Sequence, residues 1–536
     1  MPEPGSRRHQ LLVLTICCMS VLLVSLDATI LNVALPSMQD ALASPISGLQ
    51  WTLDAYTIVL ASFLTLAGST ADRVGRRRIF QLGLALFTAA SALCSLAPTL
   101  EWLVAFRMVQ AVGGCMLTPV AMAILANTFT EPRERARAIG VWGGVVGISM
   151  ATGPILGGLL VQSAGWRSVF WLNIPIGLAA LALTVRYVPE SRAPRARRPD
   201  PVGQLLVITL LGTLTYAIIE APDEGWTSPP ILACLIAAAG ALAWFVPYEN
   251  RRTEPLVDPR LFRSASFSAA TATAVFAFAA LGGFLFANTL YLQRQLGLSA
   301  LSTGLHLLPM AVLSLICPPL SGRIVGSRGP RIPLLLAGTG ISASGLLAVL
   351  VTRSTHPSHA LLSLTYALFG LGFGFVNAPI TNTAVSGLPR AQAGVAAAVA
   401  ATSRQIGSSL GIAVVGAAIA ADVRPAPWWI ITGCGLAVLI LSTFSAHASG
   451  IPEDHGSLRA RSGRRISKAT PLVARAQRAA DLEGNAARCA RAAGGGSRRQ
   501  RDKRVGRSAG EEGHGFGADT LEELSNGDQG TTVVAL

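Results

Sequence analysis

From Leu11 to His447 the chain repeats one pattern, an apolar stretch of about 20 residues closed by a short break of charged, Pro or Gly residues. Stretches of that length can cross a bilayer as helices. About fourteen of them can be read, and no interval between breaks is wide enough for a soluble domain. Composition agrees, because 51% of residues are hydrophobic, 13% are charged and the mean hydropathy is +0.51. That balance lies far from the charge-rich make-up of a soluble globular chain. The expected fold class is therefore an all-α integral membrane protein.

The formal charge of +15 would elsewhere suggest nucleic acid, but the arginines sit in the breaks and in the C-terminal tail without interleaved aromatics. No nucleic-acid partner is expected. Every second break carries the arginines: Arg73, Arg76, Arg77 and Arg78; Arg133 and Arg135; Arg192, Arg195, Arg197 and Arg198; Arg251, Arg252, Arg260 and Arg263; Arg323, Arg328 and Arg331. By the positive-inside rule these breaks are cytoplasmic, and an even span count puts both termini on the same side. The intervening breaks hold scattered arginines such as Arg167, Arg294, Arg353 and Arg424. Seven cysteines lie inside apolar stretches and Cys489 lies in the tail, with no pairing or metal-ligand spacing. Met1–Gln10 leads into an apolar stretch without an evident cleavage site, so it reads as a first span and not a removable signal. Beyond about Ala448 the chain turns to Arg, Gly, Ser and Ala with almost no apolar periodicity, and this tail is expected to be disordered.

The breaks and spans carry motifs. Gly68-Ser69-Thr70-Ala71-Asp72-Arg73-Val74-Gly75-Arg76-Arg77-Arg78 closely resembles the cytoplasmic signature loop of the major facilitator superfamily. Glycines there let helix ends approach, and Asp72 can pair with the arginines or with helix termini, so Gly68, Asp72, Arg73, Gly75 and Arg76 are a candidate conformational latch. The plainer alternative is a positive-inside anchor. The second-half counterpart, Ser321-Gly322-Arg323-Ile324-Val325-Gly326-Ser327-Arg328-Gly329, keeps the Gly/Arg pattern and lacks the acid, as a weakened parallel repeat. Leu26-Asp27-Ala28-Thr29-Ile30-Leu31-Asn32-Val33-Ala34-Leu35-Pro36 resembles the first-helix motif of fourteen-span drug:proton antiporters of the EmrB/QacA type. Arg107-Met108-Val109-Gln110 with Gly113-Gly114 is similar to the superfamily's fourth-helix motif, although Ala111 stands where a glycine is usual. Gly153-Pro154-Ile155-Leu156-Gly157-Gly158 resembles the motif associated with antiporters, and Gly165-Trp166-Arg167, Asn173-Ile174-Pro175-Ile176-Gly177 and Ser403-Arg404-Gln405-Ile406-Gly407 extend the match. The resemblance runs from Leu11 to about His447, and the nearly lysine-free chain also looks similar to antibiotic-resistance exporters of actinobacteria.

What the resemblance implies is a major facilitator fold, two six-helix bundles plus two extra central helices. Residues 1–10 would be a cytoplasmic N-terminus, 11–187 the first bundle, 202–247 the extra pair, 265–447 the second bundle and 448–536 a cytoplasmic tail. It implies a monomeric proton-coupled antiporter that exports small organic or drug-like molecules across the bacterial cytoplasmic membrane. The proton gradient would drive it, with no cofactor and no metal, and its partners would be the substrate, protons and the bilayer.

The residues have their own chemistry. Asp27 would cost roughly 2.5–3.5 kcal/mol at a helix centre, so it must face a watery cavity or a partner, where it can exchange a proton or bind a cationic group. Asp54 is a second candidate, with an interfacial carboxylate as the alternative. Arg107 needs an acceptor and is either part of proton coupling or a tie to helix carbonyls. Arg404 is either a cavity-lining charge or a residue that snorkels to the surface. Gly143, Gly147, Gly153 and Gly157 have the small-xxx-small spacing that permits close helix packing, and Pro154 bends its helix, which could seal one end of a pathway or serve packing alone. Glu220 and His306 read as interfacial. A dedicated exporter of one endogenous metabolite, an uptake permease and a membrane sensor are the competing functions. An enzyme is not expected, since no catalytic constellation and no phosphate-binding Gly-x-x-x-x-Gly-Lys loop occurs.

Overall fold

A computed structural model describes residues 6–193, 200–354, 357–385, 393–423 and 425–447. The tail with Cys489, the arginines Arg195, Arg197 and Arg198, and Arg424 lie outside the described residues. Within them every regular element is a helix. The first half holds α1 (Arg7–Leu42), α2 (Ile46–Val74), α3 (Arg76–Ser95), α4 (Leu100–Thr128), α5 (Pro132–Ala164), the short α6 (Ser168–Trp171) and α7 (Asn173–Tyr187). Next come α8 (Pro201–Glu224) and α9 (Pro229–Arg251). The second half holds α10 (Ala265–Leu290), the short α11 (Ala300–His306), α12 (Leu308–Arg328), α13 (Arg331–Val351), α14 (His359–Gly374), α15 (Asn377–Val385), α16 (Ala393–Ala420) and α17 (Ala426–His447).

Thirteen helical segments among the described residues are long and apolar enough to cross a membrane. The 28-residue α16 carries Arg404 and Gln405 among small apolar residues and packs between α10 and α2. Helices outrun the apolar stretches because an N-terminal turn needs only a cap. Ser6, Asp200, Ser264 and Ser299 each accept a bond from a backbone N–H three residues on, and proline occupies the first turn of α5, α8, α9 and α12.

Two large apolar clusters result. One is built almost wholly from α1–α5 and α7, around Phe80, Phe87 and Leu117. The other comes from the second half, around Phe284, Tyr366 and Phe369, with Phe284 and Phe369 stacked at 3.9 Å. Helix α8 lies against α2 and α16, and α9 packs on α8. Trp51 Nε1 donates to Glu220 Oε1 at 2.6 Å and Gln204 Nε2 donates to Ser62 O at 2.6 Å, which fasten α8 to α2 along its length. Glu220 is thus an acceptor between helices and not simply an interfacial acid.

The stretch Gly68–Arg78 differs from the expected loop. All of it is helical except Gly75, where φ is +131° and α2 turns directly into α3. A Cβ at Gly75 would lie 2.7 Å from the Glu190 carboxylate. Glu190 sits there because it caps α3, accepting from Arg77 N at 3.1 Å beside Arg78, where its charge also meets the helix dipole favourably. Asp72 pairs with Arg76 at 2.8 Å, and the segment after α7 bonds on both sides of the turn through Arg76 N to Ser191 O and Ala193 N to Asp72 O. All these contacts stay within the first half.

Gly75→Ala is expected to lower the thermal unfolding midpoint of the purified protein, since a left-handed backbone and a side-chain collision together cost about 1–3 kcal/mol. Gly140→Ala is the control. A Cβ at Gly140, inside α5, meets nothing within 4 Å, so this change should leave the midpoint level or raise it.

Candidate functional site

The centre of the first half is a buried polar network in an otherwise apolar bundle. Asp27 lies on α1 and Arg107 on α4, with side chains 3% and 1% exposed. Arg107 Nη1 donates to Asp27 Oδ2 at 2.5 Å and to Gln110 Oε1 at 2.7 Å. Asp27 Oδ1 accepts from Gln110 Nε2 at 2.9 Å and from Asn173 Nδ2 at 3.0 Å. Both amides also donate to Ser91 Oγ, at 3.1 and 2.9 Å. Arg107 Nε donates to Thr52 O, and the guanidinium lies 4.1 Å from the centroid of the Tyr56 ring. Five helices therefore converge on one ion pair. The placement is local in origin: Gln110 is one turn from Arg107 on the same face of α4, and the break between α6 and α7 makes Asn173 the first residue of α7.

Such a pair costs several kcal/mol per ion in desolvation, and its donors and acceptors have to be satisfied for it to persist. Here the carboxylate has three donors, and Asp27 therefore faces a partner and not an open cavity. Arg107 bonds both to Asp27 and, through Nε, to the Thr52 carbonyl of α2, so a tie to a helix carbonyl is present beside the ion pair.

Asp54 is elsewhere. It is wholly buried on the side of α2 that meets α16, with Thr57 Oγ1 at 3.4 Å from Oδ1 and the Ser409 hydroxyl of α16 beside it. One turn away Gln50 Nε2 donates to Ile412 O and Ala413 O at 3.3 and 2.9 Å. The structure thus gives Asp54 a position on the seam between halves. Arg404, half-buried on α16, stands 5.9 Å from the Phe278 ring of α10. Neither residue joins the Asp27 network.

The halves also meet along α5. A Cβ at Gly157 would sit 2.9 Å from Ile30 O of α1, and one at Gly158 2.5 Å from Ala300 O of α11, while Gly153 abuts Thr29 and Gly304 abuts Pro154 O. The glycines of the Gly153–Gly158 motif wedge α5 between α1 and α11. At the end of the bundle away from the Arg73–Arg78 turn, Arg294 pairs with Asp40 at 2.6 Å and donates to Pro36 O at 3.0 Å, and Gln293 donates to Val33 O at 2.9 Å. Toward the arginine-rich end a Cβ at Gly147 would meet Leu315 of α12, whereas one at Gly140, Gly143 or Gly144 of α5, or at Gly322 or Gly326 of α12, would meet nothing within 4 Å. Along the other line of contact, Ala401 of α16 packs against the apolar cluster of the first half.

A family model described as Major Facilitator Superfamily matches residues 17–412. The chain belongs to the major facilitator superfamily. The Multidrug resistance protein Stp of Mycobacterium tuberculosis (strain CDC 1551 / Oshkosh) is 41% identical over 414 residues, 77% of this chain and 76% of that protein. The Tetracenomycin C resistance and export protein of Streptomyces glaucescens is 38% identical over 432 residues, 80% of each chain. A solved bacterial homologue of the human lysosomal transporter Spinster has the same fold, with a TM-score of 0.54 at 18% identity, covering 83% of this chain and 96% of that one. This major facilitator protein is thus a multi-pass membrane transporter.

Its buried network includes two groups that a search for charges passes over, Ser91 and Asn173. Asn173 lies in a recognisable motif beside Pro175, but nothing in that motif says what the amide bonds. His306, read as interfacial, has Nδ1 at 2.8 Å from Ser302 O and Nε2 at 3.3 Å from His359 Nδ1. Among the described residues no three His, Cys, Asp or Glu side chains gather as metal ligands would.

Because the pair is buried, Asp27→Asn should destabilise the protein by roughly 3–5 kcal/mol, leaving Arg107 without a counter-charge. Adding Arg107→Gln to Asp27→Asn should recover much of the thermal unfolding midpoint without restoring transport. A double variant as unstable as the two single losses combined would contradict an energetic coupling between the two side chains.

Proposed function

We propose that the protein is a monomeric proton-coupled antiporter that exports small drug-like molecules across the bacterial cytoplasmic membrane, with both termini cytoplasmic. The observation that carries this reading is the buried Asp27–Arg107 pair, the one ion pair among the described residues in which both side chains are nearly inaccessible. A proton added to Asp27 turns an ion pair into a neutral acid beside an uncompensated guanidinium. The five helices that meet there then have a different lowest-energy arrangement. Their rearrangement is the coupling: the proton-loaded and proton-free forms favour different openings of the seam between halves. Named relatives among drug-resistance and export proteins support export as the direction.

With the arginine-rich end in the cytoplasm, the stretches of α5 and α12 whose glycines have no close neighbour there offer an entry for substrate from within. The Gly153–Gly158 wedge and the Arg294–Asp40 pair are then the outer seal. The Asp72–Arg76 turn acts as the latch, holding the α2–α3 junction to the end of α7 while the halves move. A second reading, a dedicated exporter of one natural product, is favoured by the tetracenomycin relative and is decided by a compound panel in a pump-deficient host.

In everted membrane vesicles, a fluorescent substrate should accumulate when respiration sets up a proton gradient. A protonophore should abolish that accumulation with ATP present. Accumulation that survives the protonophore in ATP-replete vesicles would rule out proton coupling. Asp72→Ala should slow turnover severalfold while leaving the equilibrium affinity for the same substrate within about twofold, a difference too small to reflect a lost contact.

A further inference from the structure

From Pro259 to Ala421 the chain has no Asp or Glu at all. Helices α10–α16 therefore supply no carboxylate; the acid of the second half, Asp422, stands just beyond α16, eighteen residues on from Arg404, and lines a cavity with Ile46 and Tyr291. In the first half Asp27 is committed to Arg107, and Asp54 lies against Ser409, five residues and about 7.5 Å of helix rise beyond Arg404. Arg404 itself has no ion pair and no hydrogen bond among the described residues.

Its position follows from the packing of α16. Gly407 and Gly411, one and two turns on, lie against the backbone of α10 at Val275 and Ala279, so Arg404 occupies the ridge beside α10 and stands over Phe278. Phe278 is two turns before Leu285 on the same face of α10. Leu285 lines a small cavity of about 20 Å³ between the halves with Thr29, Asn32, Pro154 and Met310. The guanidinium thus lies on the arginine-rich side of that cavity, on the helix that packs against both α10 and the first-half helix α2. Phe278 meets Phe373 edge to face at 5.2 Å, forming an aromatic wall beneath it.

We propose that Arg404 is the recognition site for a negative charge on the substrate, so that the class exported is aromatic acids, carried as carboxylates or phenolates, and not cations. An arginine half out of water without a counter-charge is an unfavourable arrangement that an anion relieves and a cation aggravates. The planar fork of donors matches a carboxylate, and the partly exposed Phe278, backed by the buried Phe373, takes the attached ring. This inference rests on the transport reading above for the identity of the path, but it can be tested without transport.

The test is equilibrium binding to the purified full chain in detergent, using three dansyl probes with the same fluorophore. These are dansylglycine (anionic), dansylglycinamide (neutral) and dansylcadaverine (cationic). Dansylglycine is expected to bind more tightly than its amide by about tenfold, with dansylcadaverine weakest. Arg404→Gln should remove the tenfold preference while leaving amide binding unchanged, and Arg404→Lys should keep part of it. Equal loss of acid and amide binding in Arg404→Gln would make Arg404 structural. Tighter binding of dansylcadaverine, or no binding of dansylglycine, would overturn the assignment. Proton-driven transport that fails in vesicles while this preference stands would count against the coupling and not against the anion site.

Discussion

A charge that leaves water inside a bilayer must find its opposite, and in this transporter that requirement is met by Asp27 and Arg107. Once the two are joined, their neighbours are constrained in turn. Gln110 serves both members, Asn173 and Ser91 complete the carboxylate's surroundings, and Tyr56 covers the guanidinium. Helices α1, α2, α3, α4 and α7 are thereby held in one register. The bundle behaves as a unit because a shift of any one of them leaves a polar group unpaired in a medium that does not forgive it.

The seam between halves is built on different physics. It has few polar ties and relies on close backbone approach of α5 to α11 at Gly158 and Gly304, while similar glycine contacts join α5 to α1 within the first half and α16 to α10 within the second. Van der Waals packing of this kind is short-ranged and can be made and broken without exposing a charge. A rigid charged bundle beside a dry, separable seam is a sensible division for a molecule whose halves rock. The polar exceptions on the seam, Arg294–Asp40 at the end away from the Arg73–Arg78 turn and Asp54 with Gln50 along α16, are the points where such motion has an electrostatic cost.

Much of this was legible in the chain. The apolar repeat required membrane helices, and Asp27, Arg107 and the Gly153–Gly158 stretch stood out because a charge or a glycine run inside a span has few bland explanations. What could not be read was partnership. Asp27 and Arg107 are 80 positions apart, and each charge alone is compatible with a cavity. Ser91 and Asn173 are neutral, so their insertion penalty is smaller than a charge's and singles them out less. The Gly68–Arg78 stretch looked like a loop from its glycines and charges, yet it is helical everywhere except Gly75, with the first N–H groups of α3 taken up by Ser191 O and the Glu190 carboxylate. Asp54 lies near an end of the apolar part of α2, and only the packing of α16 reveals that it is sealed from water.

The central claim is that Asp27 carries the proton and that the ion pair with Arg107 is the proton-free state. The most direct measurement is the number of protons released per transporter when a saturating substrate is added in weakly buffered detergent solution. The wild type should release protons, and the Asp27→Asn/Arg107→Gln variant should bind the same substrate and release about one fewer. Equal release by the two proteins would contradict the account, and would move the proton to another carboxylate, of which Asp54 is the buried alternative.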